Sequence, residues 1–337
     1  MKFTVQYPIT EAGYDPEFLS REGLARFART AEDAGFHAIA FTDHPAPSHK
    51  WLQAGGHDSL DPLTALGFCA AATEKIRLMS YVLVAPYRNP LLAAKQGATV
   101  DRLSDGRLTL VLGAGYLRSE FAALGIDFSN RNALMDEVTE VLKGIWQSEN
   151  FHYEGKHFTA IRQTARPFPV QQPHPPLWFG GNSEQSLRRV AADGQGWSPL
   201  IIREELSGSV RTRALDGHRA LANRLSRLSD LLQERGRSLQ DIDVQIDYAA
   251  GTSPELPKGV VLDSLAEFSA AGATWAVITP RGRQLDNCLE ELASFVENVI
   301  SQLGISGAVS KRYEGVDNQN ILYCLALAPP LTKSSPG

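Results

Sequence analysis

The sequence predicts an α/β protein, a closed (β/α)8 barrel with insertions, and three observations carry that prediction. Strand-like and helix-like patterns alternate from the first residues to residue 303. The pattern repeats about eight times, which implies a parallel sheet with crossover helices. A chain of 337 residues is long enough to bury one large core and to build one elaborated barrel.

The elements follow in order. Phe3 to Tyr7 is a short β run. Arg21 to Ala34 is helical, with Leu24, Phe27, Ala28 and Ala31 on one face and Gly35 as its C-cap. Ala38 to Phe41 is a buried strand that ends at Thr42-Asp43-His44. Asp61-Pro62 opens the helix Leu63 to Ala72, since proline fits the first turn. Ile76 to Val84 is one long strand, and Pro90 opens the helix Leu91 to Leu103. Arg107 to Leu112 is a strand that ends in Gly113-Ala114-Gly115-Tyr116.

A longer excursion, Leu117 to Arg131, precedes the helix Ala133 to Trp146. Phe151 to Phe158 reads as a hairpin inserted into the barrel near 151–160, with Glu154-Gly155-Lys156 at its turn. Leu177 to Gly180 is a strand, and Ser183 caps the helix that runs to Ala192. Gly196 to Leu200 is a strand, and the polar stretch Glu204 to Arg235 reads as one helix. Val244 to Ala249, Val261 to Ala271, Trp275 to Thr279 and Leu285 to Leu303 complete the alternation. The barrel therefore spans 1–303, and 304–337 is a C-terminal extension with no assigned role.

Composition narrows the partners. The chain is 43% hydrophobic and 21% charged, with a formal net charge of −5 and no basic run, so it is not built to bind nucleic acid. No apolar run approaches the roughly 18 to 20 residues that span a bilayer, and Met1 to Tyr7 is a strand rather than a signal peptide. The expectation is a cytoplasmic protein without a membrane partner. Cys69, Cys288 and Cys324 show no CxxC spacing, which argues against a disulfide framework or a zinc site.

In a (β/α)8 barrel the chemistry sits where strands end and loops begin. That rule selects Asp43-His44, the end of the third strand through Asn89, Gly113 to Tyr116, and Gly180 to Ser183. Gly113 and Gly115 do not start a dinucleotide fingerprint, because the third glycine would fall at Arg118. They let backbone approach a flat ring closely. Gly180, Gly181, Asn182 and Ser183 lead from a strand into a helix, where backbone N–H groups and the helix dipole favour a phosphate. His44 is placed to act as a general acid or base. His49 and His57 receive no role. There is no HExxH, no carboxylate cluster with metal spacing, and no GxSxG elbow at Ser80, so no metal is expected.

Four stretches together resemble the bacterial luciferase-like monooxygenase superfamily. The most diagnostic runs from Val82-Leu83-Val84-Ala85-Pro86-Tyr87-Arg88-Asn89-Pro90-Leu91 through Asp101-Arg102-Leu103-Ser104-Asp105-Gly106-Arg107 to Gly113-Ala114-Gly115-Tyr116. The others are Thr42-Asp43-His44, Tyr153-Glu154-Gly155-Lys156-His157-Phe158, and Pro176-Leu177-Trp178-Phe179-Gly180-Gly181-Asn182-Ser183. The resemblance implies a TIM barrel that binds the deazaflavin F420 or reduced FMN, a nonprolyl cis peptide at Tyr81-Val82 beneath the ring, a small-molecule substrate, and a homodimer.

Thr42-Asp43-His44 and Arg88-Asn89-Pro90 resemble the F420-dependent branch, which places Arg88 among the cofactor-binding residues. By the same resemblance Asp43, Tyr81, Val82 and Tyr116 line the ring, Gly113 and Gly115 lie beside it, and Gly180 to Ser183 hold the phosphate. The sugar-phosphate and alcohol dehydrogenases of that branch carry a Trp four residues after the His and a Glu after the fourth strand. Here those positions hold Ser48 and Tyr116, so those activities are not carried over. The expected function is F420-dependent hydride transfer to or from a small organic substrate, with His44 moving the proton. The alternatives are a reduced-FMN monooxygenase using O2 and a barrel that binds cofactor without catalysis.

Overall fold

The computed structural model describes residues 1–10, 13–248 and 256–303. Eleven strands are present among them: β1 (Lys2–Gln6), β2 (Ala38–Phe41), β3 (Arg77–Ser80), β4 (Leu83–Val84), β5 (Leu108–Gly113), β6 (Phe151–Glu154), β7 (Thr159–Gln163), β8 (Leu177–Gly180), β9 (Gly196–Ser198), β10 (Asp243–Asp247) and β11 (Trp275–Ile278). The helices are α1 (Arg21–Asp33), α2 (His49–Gln53), α3 (Pro62–Ala72), α4 (Pro90–Leu103), α5 (Arg118–Ala123), α6 (Arg131–Gln147), α7 (Glu184–Asp193), α8 (Glu204–Ser207), α9 (Gly217–Gln233), α10 (Lys258–Ala270), α11 (Leu285–Phe295) and α12 (Ser301–Leu303).

The large sheet runs β3-β2-β1-β11-β10-β9-β8-β5-β4, and a β3–β5 pairing closes it. Every pair in it is parallel, and β3 and β4 are two halves of one barrel position, so the result is a closed eight-stranded TIM barrel. The extension 304–337, with Cys324, and the predicted strand end at Ala249 lie outside the described residues.

Strand alternation sorts the core into two layers. Ala38, Ala40, Met79, Val111, Trp178 and Trp275 pack inside the barrel. The two indoles meet edge to face at 5.6 Å and fill the lumen, so β2 can present only alanines to it. Ile39 and Phe41 point the other way, into the larger core between sheet and helices. The lumen is polar in its middle: the Thr4 hydroxyl donates to Gln245 Oε1 at 2.7 Å, while Gln245 Nε2 is buried and has no partner. Cys69 and Cys288 are free and buried.

The long strand expected from Ile76 to Val84 is interrupted. The Tyr81-Val82 peptide is cis, and the chain bulges there between β3 and β4. The hairpin is antiparallel as read, but its second strand extends to Gln163. The single helix expected over Glu204 to Arg235 is two, α8 and α9. Gly208 follows α8, Gly217 opens α9 at φ +77°, and Leu215, just before α9, bridges Ile202, just before α8. Glycine at a left-handed turn stops a helix whatever its flanking propensity.

Candidate active site

The third strand position is held by one carboxylate. Asp43, buried just past β2, accepts the Val84 N–H at 2.8 Å and both guanidinium nitrogens of Arg88 at 2.5 and 2.9 Å. Arg88 also reaches Asp61 at 3.1 Å. A buried carboxylate persists only when its oxygens are satisfied, and here the satisfying groups flank the cis peptide. Asp43 and Arg88, both expected at the cofactor, thus pair with each other and tie β2 to β4.

Val82 is the body around which the neighbouring strands make room. A Cβ on Gly113 would lie 2.7 Å from its Cγ2, and one on Gly180 3.0 Å from its Cγ1. Gly113 and Gly115 are the glycines expected beside the ring. In the structure Gly113 accommodates the Val82 bulge, and Gly115, at φ +77°, accommodates Val84 and Phe121.

His44 follows Asp43 and is nearly buried, with 11% of its side chain exposed. Its Nδ1–H donates to Glu120 Oε2 at 3.1 Å, and its main chain is bracketed by the Ser59 hydroxyl. Glu120, on α5, is fully buried. It also accepts the Tyr87 hydroxyl at 3.1 Å and the Ala46 N–H at 3.1 Å. A carboxylate acceptor at Nδ1 fixes the tautomer and leaves Nε2 with the lone pair. Trp51, from α2, lies over the imidazole with centroids 4.6 Å apart, and His57 meets it edge-on at 5.1 Å. Burial lowers the His57 pKa. The Tyr116 ring stands 6.1 Å from that of His44, its phenol pushed up to about 12 by burial and the Glu120 charge, against an opposing hydrogen bond from Trp51.

A Trp and a Glu nevertheless reach His44. Ser48 caps α2 through its hydroxyl, and that helix delivers Trp51. Tyr116 is followed by α5, which delivers Glu120. Both side chains reach His44 from positions a few residues further on. Glu120 lay in a segment read as an irregular excursion; its signal was a carboxylate shortly after a barrel strand end.

Asp247 was also missed. It ends β10 at the barrel mouth, two residues after Gln245 and on the same face of the strand, the face that lines the lumen. Among the described residues its carboxyl has no hydrogen-bond or ion-pair partner, and burial pushes it up to about 6. The Tyr81 phenol is pushed well up by burial and by the Asp247 charge. Nearby strand ends contribute the Thr279–Gln6 hydrogen bond, 3.3 Å.

The turn after β8 divides its labour. Ser183 caps α7 by accepting the Ser186 N–H at 3.0 Å. Asn182, expected among the phosphate contacts, is fully buried and clamps a loop. Its amide donates to the carbonyls of Leu200 and Arg213 at 2.7 and 2.8 Å and accepts the Leu200 N–H, and its own N–H goes to Thr212. Gly181 stands at φ +95°, with only Ser186 Oγ near where a Cβ would be. The residues present fit a phosphorylated cofactor here: an open glycine turn leads into a helix whose first-turn N–H groups lack intrahelical acceptors, at the C-terminal end of a barrel strand.

The luciferase-like monooxygenase family profile matches residues 1–248, and the chain belongs to that family. It is 32% identical over 179 residues to an FMNH(2)-dependent dimethylsulfone monooxygenase of Pseudomonas putida, and spans about half (46%) of that relative's length. It is 27% identical over 312 residues to an uncharacterised Mycobacterium tuberculosis protein, covering 85% of this chain and 96% of the other. Among solved structures, the monooxygenase RslO1 from Streptomyces bottropensis matches with a TM-score of 0.76 at 19% identity, over 90% of this chain and all of the other. The coenzyme F420-dependent tetrahydromethanopterin reductase of Methanopyrus kandleri matches at 0.69 and 17%, over 89% and 99%. At those identities the structural matches establish the fold. Among the described residues no helix is long and apolar enough to cross a membrane, and no His, Cys, Asp and Glu cluster could hold a metal ion.

Proposed function

We propose that this chain is an F420-dependent oxidoreductase that moves a hydride between the deazaflavin and a small organic substrate. The observation that carries the reading is the His44–Glu120 pair at the end of β2, with Trp51 over the imidazole. The cofactor, when bound, supplies two-electron chemistry; the protein binds, orients and handles the proton. Tyr81 and Val82 would line the cofactor ring, and the glycine turn before α7, Gly180 to Ser183, would hold its phosphate. His44 Nε2 gives or takes the proton that balances the hydride at a substrate oxygen or nitrogen, while Glu120 holds the ring by its Nδ1 edge. Trp51 and Tyr116 keep water from that exchange.

A second reading is a reduced-FMN monooxygenase using O2. The 32% identity to the dimethylsulfone monooxygenase favours it. Titration of the purified protein with F420 and with FMN, followed by fluorescence, decides between them. Binding of F420 tighter than FMN is expected; micromolar FMN binding without F420 binding selects the monooxygenase. By family resemblance we also propose a homodimer, tested by sedimentation.

A further inference from the structure

Three guanidinium groups converge on one phenyl ring beside the phosphate turn. Arg131, Arg118 and Arg211 stand with Cζ 4.1, 4.6 and 5.7 Å from the Phe128 centroid. Among the described residues none of the three has a carboxylate partner. Their one side-chain hydrogen bond to protein runs from Arg131 to the Phe128 carbonyl, 3.1 Å. The acids nearest in sequence to Arg118 and Arg131 are taken: Glu120 by His44, Tyr87 and Ala46, and Asp127 by Ser129 and Asn130. Arg131 is partly buried, and its pKa is lowered by that burial and by the charges of Arg118 and Arg211. Like charges gathered on a half-buried ring, in a chain of net charge −5, are an arrangement that an anion stabilises.

The surroundings place the cluster next to the cofactor site. Arg211 precedes Thr212 and Arg213, the two residues to which Asn182 is clamped. Arg118 lies two residues past Tyr116. Arg131 opens α6, whose N-cap Asn130 makes no side-chain capping bond. The starts of α6 and α7 are joined by Arg189, which reaches Asp136 at 2.6 Å and the Asn132 carbonyl at 3.1 Å. The Asn182 bonds to Thr212 and Arg213 hold the loop that carries Arg211 against the turn before α7.

We propose that Arg118, Arg131 and Arg211 form a polyanion subsite that receives the carboxylate-bearing tail of the cofactor beyond its phosphate. The proposal rests on the F420 reading, because a deazaflavin of that class continues past its phosphate into linked glutamates whereas FMN ends there. Phe128 is the platform that holds the guanidinium planes, and the Asn182 clamp fixes the loop that brings Arg211 to it.

The test compares F420 carrying its glutamate tail with the same deazaflavin trimmed back to its phospholactate, on wild type and on the double variant Arg118→Gln/Arg211→Gln. Both residues are exposed, so glutamine leaves the fold intact, which circular dichroism checks. The tailed cofactor should bind about 5- to 30-fold more weakly to the variant at low ionic strength, with the trimmed form changed less than about twofold. Unchanged affinity for the tailed form overturns the proposal. So does an equal loss for both forms, which assigns the arginines to the phosphate. If wild type binds neither form, the F420 reading has failed by itself, and calorimetry with γ-linked triglutamate alone decides the subsite. Heat on wild type that disappears in the variant upholds it; no heat on wild type overturns it.

Discussion

Glu120 Oε2 lies 3.1 Å from His44 Nδ1, and the same carboxylate receives the Tyr87 hydroxyl and the Ala46 N–H. One acid on α5 therefore sets the imidazole at the end of β2 and ties down the two segments that flank it. The arrangement predicts that the His44 tautomer depends on Glu120. In the 15N spectrum of wild type, His44 should show Nδ1 protonated and Nε2 bare. Glu120→Gln, which can turn its carbonyl or its NH2 towards the ring, should mix the tautomers and lower kcat about 10- to 100-fold, with cofactor affinity held within about twofold. An unchanged 15N pattern would refute the dependence.

The Asp43–Arg88 pair predicts a stability effect rather than a chemical one. Asp43→Asn removes the charge facing Arg88 and weakens the bond to Val84 N–H. Breaking a buried pair from one side costs about 3 to 5 kcal/mol, and Asp61, already 3.1 Å from Arg88, offsets part of it. Urea denaturation should show a loss of about 2 to 4 kcal/mol. A loss below about 0.5 kcal/mol, the range of an exposed pair, would show that the clamp does not hold the bulge.

Much of the fold was legible because apolar periodicity is a local signal: β2 and β8 begin and end where alternation and flanking glycines place them. The site was legible only in part. His44 is visible from its strand end, but its partners come from α2 and α5, short helices inside stretches that look irregular. Asp247 lay hidden because a charged residue ending an apolar strand reads as the start of a loop. The break between α8 and α9 was written in Gly208 and Gly217, and the polar helix-forming residues on either side masked it.

The bulge predicts a rescue. Gly113→Ala puts a methyl 2.7 Å from Val82 Cγ2 and should cost about 1 to 3 kcal/mol as overpacking. Val82→Ala in the same chain removes the clashing methyls. The double variant should then be less destabilised than the sum of the singles, with a coupling of about 1 kcal/mol by denaturant titration. Simple additivity would mean that Gly113 answers to something else.

Asp247 predicts a pH dependence whose sign is fixed. Its carboxyl sits at about 6 in the fold against an ordinary 3.8. Below both values folded and unfolded chains are protonated there, and the residue has no effect. Between them the unfolded chain has released its proton and the folded chain has not, so stability falls as pH rises. Above 6 the ionised carboxylate costs up to about 3 kcal/mol. Asp247→Asn should therefore raise Tm at pH 7.5 and leave it nearly unchanged at pH 4. A lowered Tm at pH 7.5 would mean that the carboxylate has a stabilising partner in solution.

The last prediction concerns His44 itself. It stands on the face where a barrel places its chemistry, its Nδ1 is committed to Glu120, and Nε2 is left for the substrate. If it moves a proton in turnover, His44→Ala should lower kcat by about 10² to 10⁴. Cofactor affinity should hold, because the proposed phosphate turn lies on β8 and α7 and the bulge on β3 and β4. His44→Asn is the sharper variant: it keeps a donor towards Glu120 but cannot carry a proton near neutral pH. The two halves of the experiment read different things. Cofactor titration of both variants tests the division between binding and chemistry, and a loss of binding in both would place His44 among the cofactor contacts. Single-turnover oxidation or reduction of the bound cofactor, followed by absorbance against a panel of alcohols, ketones and sulfones, tests the chemistry. Near-wild-type rates in His44→Asn on a substrate that turns over would make His44 a polar wall of the pocket, with the proton coming from elsewhere, and Asp247 would then be the group to replace next.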